Sequence, residues 1–156
     1  MTEPAPENFS QFEKLLVDLA RSGVDFAVVG GVAVSLNGFV RATDDLDILV
    51  NESRENIQRL LDALAKWGEG FARELKVEEF VPQEGSIRVM EDFDLDIFTR
   101  MRGKSLDDFK PRLGYLETNG VRIAYLAAED LILLKQTSWR EKDQIDVNTL
   151  KRLHKR

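Results

Sequence analysis

Two short apolar runs joined by a glycine-containing segment restrict the fold of this sequence more than any other feature. The first run, FAVVG (26–30), ends in Gly30 and continues into Gly31, and the second, DLDILV (45–50), opens on carboxylates. A run of this length that is apolar throughout is typical of a strand covered on both faces. A buried carboxylate is costly unless a partner compensates its charge. The second run is therefore predicted to begin either at a solvent-facing strand end or at a site for a cation.

The remaining pattern of apolar and polar residues predicts one sheet with helices packed against it. Helices, the fourth of them a single turn, are predicted at 9–21, 31–39, 54–67, 105–109, 127–139 and 142–155. Strands, the third of them weak, are predicted at 26–30, 45–50, 77–81, 87–90, 93–98, 113–118 and 121–125. The last two strands flank Asn119-Gly120, which is a strong hairpin signal. The expected fold class is α/β (α+β), with a mixed β-sheet and helices packed against it.

The length of the chain, 156 residues, fits one domain with a substantial core. Residues 1–8 are polar and contain proline, so they are expected to form a flexible N-terminus, followed by a single domain over 9–156 that ends in two helices. The first residues lack the basic start and apolar stretch of a signal peptide. No apolar run approaches the roughly 20 residues that span a bilayer. We expect a cytoplasmic protein with no membrane partner.

The composition restricts the kinds of site that this chain can form. It contains no cysteine, and His154 is its single histidine, so thiolate sites and histidine-rich zinc sites are excluded. Carboxylates are left as the plausible metal ligands. The net charge of −6 argues against a general nucleic-acid coat protein.

The carboxylates of the second apolar run are spaced for joint action. In a strand, residues i and i+2 project from the same face, about 6.6 Å apart along the chain. Asp45 and Asp47 therefore point to one side, with Leu46 and Ile48 on the other, and Asp44 is expected in a turn. Mg²⁺ prefers such hard oxygen ligands and commonly uses one or two carboxylates together with substrate phosphates.

A second acidic strand follows in EDFDLDIFTR (91–100), where Asp92, Asp94 and Asp96 are predicted to share one face. If this strand pairs with 45–50, one of its carboxylates completes a three-acid cluster. Asp96 is favoured because it lies deepest in the β-rich run, and Asp94 is the reserve. The alternative for the whole acidic face is a solvent-exposed sheet surface, which is common in antiparallel sheets.

The glycine pair has two possible interpretations. A strand that runs through Gly30 and Gly31 into a helix brings backbone N–H groups to one point, where glycine lets a phosphate approach closely. The alternative is a tight turn without a ligand. The pair is not part of a P-loop or a Rossmann fingerprint, because GxxxxGK[ST] and GxGxxG are both absent.

Taken together, these motifs resemble those of the nucleotidyltransferase superfamily related to DNA polymerase β. The family signature is a hydrophobic strand, a Gly-Gly or Gly-Ser pair, Asp-x-Asp on the next strand and a third aspartate later. The corresponding segments are VVGG (28–31), DLD (45–47) and DLDIF (94–98). The resemblance implies the nucleotidyltransferase fold for the domain.

Two further segments resemble those of abortive-infection and toxin–antitoxin nucleotidyltransferases. GFVRATDDLDI (38–48) is similar to their GxxRxTxDhDh variant, with Gly38, Arg41 and Thr43 at matching positions. KQTSWREKDQIDVNTL (135–150) is similar to a helical motif of the same group, which implies that Lys135 steadies a triphosphate. The alternative for this lysine is an exposed position on a surface helix. The larger toxin enzymes of this group carry an added helical domain that binds the molecule to which the nucleotide is transferred.

The resemblance implies a Mg²⁺-dependent enzyme that moves a nucleoside monophosphate from an NTP to a hydroxyl and releases pyrophosphate. The predicted catalytic residues are Asp45, Asp47 and Asp96, which would hold two Mg²⁺ ions. Asp96 is also a possible base. The nucleotide would be bound by Gly30, Gly31, Arg41, Thr43 and Lys135. The acceptor is open among an RNA 3′ end, a protein and a small molecule, and a cognate toxin or antitoxin is a possible partner. The alternatives are a non-catalytic, antitoxin-like domain that binds a nucleotide or a partner, and an α+β interaction domain with an acidic face.

Overall fold

The computed structural model describes residues 9–155, which form a mixed sheet with helices against it. The strands are β1 (Phe26–Val29), β2 (Asp45–Val50), β3 (Ser86–Met90), β4 (Asp94–Phe98), β5 (Gly114–Thr118) and β6 (Val121–Tyr125). The helices are α1 (Ser10–Arg21), α2 (Gly30–Leu36), α3 (Arg54–Leu64), α4 (Leu106–Phe109), α5 (Ala128–Lys135) and α6 (Glu141–Leu153). The predicted fold class is confirmed. The N-terminus predicted to be flexible, 1–8, lies outside the described residues.

The six strands have the spatial order β3-β4-β2-β1-β6-β5. β2 lies antiparallel to β1 and parallel to β4, whereas β6 lies parallel to β1. The edge strands β3 and β5 pair antiparallel with β4 and β6. The two acidic strands β2 and β4 are therefore neighbours near one edge of the sheet, and the glycine pair follows the strand on the other side of β2.

Helices α1 and α3 follow from their apolar spacing. Phe12, Leu16 and Leu19 of α1 lie at positions i, i+4 and i+7, which form one helical face, and all three are fully buried. α3 begins at a capping serine, Ser53, whose side chain accepts a hydrogen bond from the Asn56 backbone N–H. The buried faces of both helices belong to the same core as the inward-facing residues of β2 and β4.

One predicted strand is wrong. The segment 77–81 contains a 3₁₀ helix at Val77–Glu79 instead of a strand. Its two buried or half-buried apolar side chains, Val77 and Phe80, are three positions apart, which matches the period of a 3₁₀ helix and not the period of two of a strand. Val81, which a strand would have placed on the Val77 face, is exposed.

Several predicted helices are longer than the observed ones. α5 ends at Lys135, because the residues after it form the connection to α6, with the Ser138 hydroxyl bonded to Asp143. α2 ends at Leu36, where the Asn37 side chain donates hydrogen bonds to the Ala33 and Leu126 carbonyl oxygens. In the part of the chain that the structure describes, no helix has the length and apolar character needed to cross a membrane.

Candidate active site

The register between β2 and β4 brings the predicted carboxylates together. Asp47 lies opposite Asp96, and Asp45 lies opposite Asp94, in parallel pairing. Asp47 also lies opposite Val29 at the end of β1, directly before the glycine pair. We call the four aspartates of β2 and β4 the acidic cluster. Asp92, predicted to share the face of Asp94 and Asp96, instead lies in the turn before β4 and lines a groove between α1 and α3.

The negative charges around Asp47 are not fully neutralised by nearby positive charges. Burial, the charge of Asp96 and the hydrogen bond between the two side chains, in that order of size, together raise the pKa of Asp47 to about 7. A carboxyl group with this pKa is half protonated near neutral pH. In its protonated form the Asp47 carboxyl donates a hydrogen bond to Asp96, which relieves the repulsion between the two adjacent groups.

A cation does enter the acidic cluster, and it comes from the chain itself. Arg88 of β3 donates two hydrogen bonds of 2.9 Å to Asp96, from Nε to Oδ1 and from Nη2 to Oδ2. Its Nη1 lies 3.3 Å from Asp94, and its Nη2 lies 3.8 Å from Asp45. A hydrogen bond from this guanidinium holds the pKa of Asp96 below its usual value, and the same contacts raise the pKa of Arg88. Sequence reasoning missed Arg88. The available signal was its polar position between Ile87 and Val89, on the strand next to the acidic one.

The two glycines lie against different side chains of the site. Gly30 has a φ of +66°, which favours glycine, and a Cβ there would overlap the Asp47 carboxylate, with Asp47 Cγ only 2.8 Å away. A Cβ on Gly31 would lie 3.1 Å from the Thr43 hydroxyl and 3.3 Å from Arg41 Nη2. The turn therefore connects the acidic cluster on one side with Thr43 and Arg41 on the other.

Predicted nucleotide-binding cations meet at a second group of charges, which we call the α6 ion cluster: Arg41, Lys135, Asp143 and Asp146. Arg41 donates two hydrogen bonds of 2.8 Å to Asp146, which is fully buried. Lys135 Nζ lies 3.0 Å from Asp146 and 3.1 Å from Asp143. Lys135 also lowers the pKa of Asp47 through its charge, so the α6 ion cluster and the acidic cluster adjoin. The prediction had included the two cations as site residues but not the two aspartates that hold them.

The structure thus brings the predicted residues into one region, although not every contact was expected. Asp45, Asp47 and Asp96 lie side by side, and Gly30 touches Asp47. The Thr43 hydroxyl donates a hydrogen bond to the Asp45 backbone oxygen, which fixes the start of β2. The alternative of an exposed surface position for Lys135 does not fit, because its side chain is largely buried.

The carboxylate oxygens of the acidic cluster are suitable ligands for a hard cation, but three of these carboxylates are in contact with Arg88. Carboxylate oxygens that repel one another are the ligands that Mg²⁺ prefers. Within residues 9–155, no group of three aspartate, glutamate, histidine or cysteine side chains is arranged to hold a metal ion. In the acidic cluster, the Arg88 guanidinium contacts the oxygens of Asp96, Asp94 and Asp45. The fit to Mg²⁺ therefore rests on the chemistry of the carboxylate oxygens.

Comparison with known families decides the assignment of the chain. The family model described as "Nucleotidyltransferase of unknown function (DUF6036)" matches residues 9–154. The chain belongs to this family. The predicted nucleotidyltransferase resemblance is thereby confirmed at the level of the superfamily. No curated protein matches the chain in sequence.

Solved structures show that this nucleotidyltransferase family member shares its fold with proteins of very different sequence. A candidate nucleotidyltransferase from Thermotoga maritima has 16% identity and a TM-score of 0.54, over 97% of this chain and 94% of that one. An antigenic nucleotidyltransferase-like protein from Paracoccidioides brasiliensis has 17% identity and a TM-score of 0.55, over 94% of this chain and 76% of that one. At such low identity the likeness shows the nucleotidyltransferase fold alone.

Proposed function

We propose that this protein is a Mg²⁺-dependent nucleotidyltransferase, which moves a nucleoside monophosphate from an NTP to a hydroxyl acceptor and releases pyrophosphate. The observation that carries the proposal is the meeting of the acidic cluster, the glycine pair and the α6 ion cluster in one region of the sheet. Each group alone has a purely structural explanation. Carboxylates, close-packed glycines and paired cations at one place are the groups that metal ions and nucleotide phosphates require.

The carboxylates would hold the metal ions and accept the proton. Asp45, Asp47 and Asp96 would be the ligands of two Mg²⁺ ions, which supply charge neutralisation for the phosphates and help to activate the attacking hydroxyl. Asp96 would take the hydroxyl proton as a general base. This role requires that Asp96 lose its contact with Arg88, because the guanidinium lowers its pKa and makes it a weak base.

The nucleotide phosphates would bind between the glycine pair and the α6 ion cluster. The absence of a side chain at Gly30 and Gly31 leaves their backbone accessible to an anion once Asp47 turns toward a metal. Arg41 and Lys135 are held at this edge by Asp146, so their positive charge is already positioned before a nucleotide arrives. A phosphate would share these cations with the aspartates of α6.

The acceptor and the biological setting rest on the resemblance alone. An RNA 3′ end, a protein hydroxyl and a small molecule all provide the required hydroxyl. A role in a toxin–antitoxin system, with a cognate toxin or antitoxin as partner, is what the closest sequence motifs suggest.

A second candidate function is favoured by one specific observation. Arg88 neutralises part of the acidic cluster without any metal, as expected of a non-catalytic, antitoxin-like domain that binds a nucleotide or a partner protein. The two candidates differ in one measurable property, which is the transfer of a labelled nucleotide.

Each of the four α-³²P-labelled NTPs should be incubated with the protein and Mg²⁺, separately with total RNA and with cell lysate. We expect label transfer by the wild type and loss of transfer in the Asp45→Asn, Asp47→Asn double variant. The matched control is Asp18→Asn, which removes an exposed carboxylate on α1 that pairs with Lys14. No transfer by the wild type, together with a thermal stabilisation by Mg²⁺–ATP that the double variant loses, would establish the non-catalytic candidate instead.

A further inference from the structure

The most informative contact that the sequence did not predict is the one between Arg88 and the acidic cluster. Its guanidinium is bidentate on Asp96 and also contacts Asp94 and Asp45, so one side chain bridges three of the four carboxylates. A planar fork that matches a carboxylate in this way forms one of the stronger ion pairs in proteins. The contact is therefore a specific arrangement rather than a loose surface pair.

From this geometry we propose that Arg88 is a resident counter-cation, which occupies the metal-binding oxygens of the free protein and is displaced when a divalent cation binds with the NTP. The inference rests on the proposed function, since it concerns the same carboxylates. It assigns to Arg88 the role of setting the metal affinity of the site.

Competition between Arg88 and a metal ion follows from the positions of the oxygens. Both oxygens of Asp96 accept hydrogen bonds from Arg88 at 2.9 Å. A dication bound to either oxygen would come within a few ångströms of the guanidinium, where two like charges in a partly buried site repel strongly. Arg88 in its present position and a metal ion on Asp96 are therefore mutually exclusive.

Displacement of Arg88 is feasible because of where it lies in the fold. β3 is an edge strand, and the Arg88 side chain is 47% exposed. Its guanidinium can exchange the carboxylates for water, since the side chain is about half exposed and its flexible stem starts at the outer strand. The Arg41–Asp146 pair differs in this respect, because Asp146 is fully buried and cannot gain solvent when its partner leaves.

The expected consequence is a preference for metal ions that arrive with a nucleotide. A free dication must replace the Arg88 contacts using carboxylates alone. A metal–NTP complex brings phosphate oxygens as additional ligands and further contacts to the glycine pair and the α6 ion cluster. Arg88 therefore favours loading of the complete substrate over loading of metal alone.

The test is Mn²⁺ affinity, measured by electron paramagnetic resonance of the free ion, because this readout does not depend on catalysis. We expect the Arg88→Gln variant to bind Mn²⁺ roughly tenfold or more tightly than the wild type, as expected when a bidentate competitor is removed. Arg88→Lys keeps the charge but loses the fork, and we expect intermediate tightening. The matched control is Arg100→Gln, which breaks an equivalent bidentate pair, at 2.7 Å to both Glu52 oxygens, away from the acidic cluster. Circular dichroism establishes that each variant is folded.

The possible outcomes separate this inference from the proposed function. Equal Mn²⁺ affinity in wild type, Arg88→Gln and Arg88→Lys overturns the role of Arg88, and if the Asp45→Asn, Asp47→Asn variant loses that binding, the metal site itself stands. Equal tightening in Arg88→Gln and Arg100→Gln also overturns displacement, because only the net charge of the protein then matters. No Mn²⁺ binding by any variant, even with a non-hydrolysable NTP analogue, contradicts both proposals.

Discussion

The two charged clusters of this protein are built from the same residue types but differ in balance. The acidic cluster has four carboxylates and one bound cation, Arg88, which leaves Asp47 with a pKa of about 7. The α6 ion cluster pairs two cations with two carboxylates. Burial raises the pKa of Asp143, but hydrogen bonds from Ser138 and Lys135, together with the charges of Lys135 and Arg140, outweigh it and leave that pKa lowered.

The difference in balance indicates a difference in task. A buried group of charges that already neutralise one another stabilises a fixed arrangement, and removing one partner is costly. A group with excess negative charge at the end of a strand retains affinity for protons or cations, which is the property that chemistry needs. Under the proposed function, the α6 ion cluster would be a scaffold for Arg41 and Lys135, and the acidic cluster would be the reactive part.

Removing the central carboxylate of the α6 ion cluster should have the largest effect on stability. Asp146→Ala leaves the Arg41 and Lys135 charges without their buried partner, so we expect a loss of about 3–5 kcal/mol in the free energy of unfolding. Urea unfolding measures the loss. The control is Asp18→Ala, which removes an exposed pair with Lys14 and should cost no more than about 1 kcal/mol. Similar small losses in both variants would show that the α6 ion cluster is not a scaffold.

The raised pKa of Asp47 in the acidic cluster should make the free energy of unfolding depend on pH. The pKa of Asp47 in the folded state, about 7, lies above its ordinary value of 3.8. Between these pH values the folded state binds the additional proton, so the free energy of unfolding should fall as the pH rises from about 4 to 7 and then level off. The total change attributable to Asp47 is on the order of 4 kcal/mol.

Urea unfolding at intervals from about pH 3 to pH 8 measures this dependence, and Asp47→Asn should remove that decrease. Glu52→Gln provides a control of opposite sign. A hydrogen bond from Arg100 lowers the Glu52 pKa, so its contribution is present above the ordinary pKa of 4.5 and is lost as the pH falls through the lowered value. A wild-type profile that stays flat from pH 4 to pH 7 and coincides with that of Asp47→Asn would contradict the excess of negative charge in the acidic cluster.

The glycine pair, which touches both clusters, should show the smallest but most selective effects. Gly30→Ala meets both an unfavourable positive φ and the Asp47 carboxylate, so we expect a loss of about 1–3 kcal/mol. Gly31→Ala requires only a small shift of the Thr43 and Arg41 side chains and adds helix propensity, so its effect should stay within about 1 kcal/mol.

Thermal unfolding of the two variants measures this difference. Gly120→Ala separates the two causes at Gly30, since Gly120 also has a positive φ, +77°, but no atom within 4 Å of the added Cβ. A loss in Gly30→Ala no larger than in Gly120→Ala would mean that the contact with Asp47 carries no energy.

Much of the local structure could be predicted from the sequence because it depends on local periodicity. The alternation in 45–50 placed Asp45 and Asp47 on one face, and the Asn119-Gly120 turn defined the hairpin of β5 and β6. The prediction failed at 77–81, where only the spacing of two apolar side chains distinguishes a 3₁₀ helix from a strand. The preference for Asp96 over Asp94 depended on strand register and remains a prediction about function.

The carboxylates, glycines and cations of this protein, and which of them share a face of a strand, follow from the order of its amino acids. Their partners depend on how the strands and helices pack together. Arg88 reaches the acidic cluster because β3 lies beside β4, and Arg41 meets Asp146 across 105 positions of the chain. The physical reason is that such pairs depend on strand order and helix docking, which arise from burial of the whole core, whereas periodicity reports only which side of its own element a residue faces.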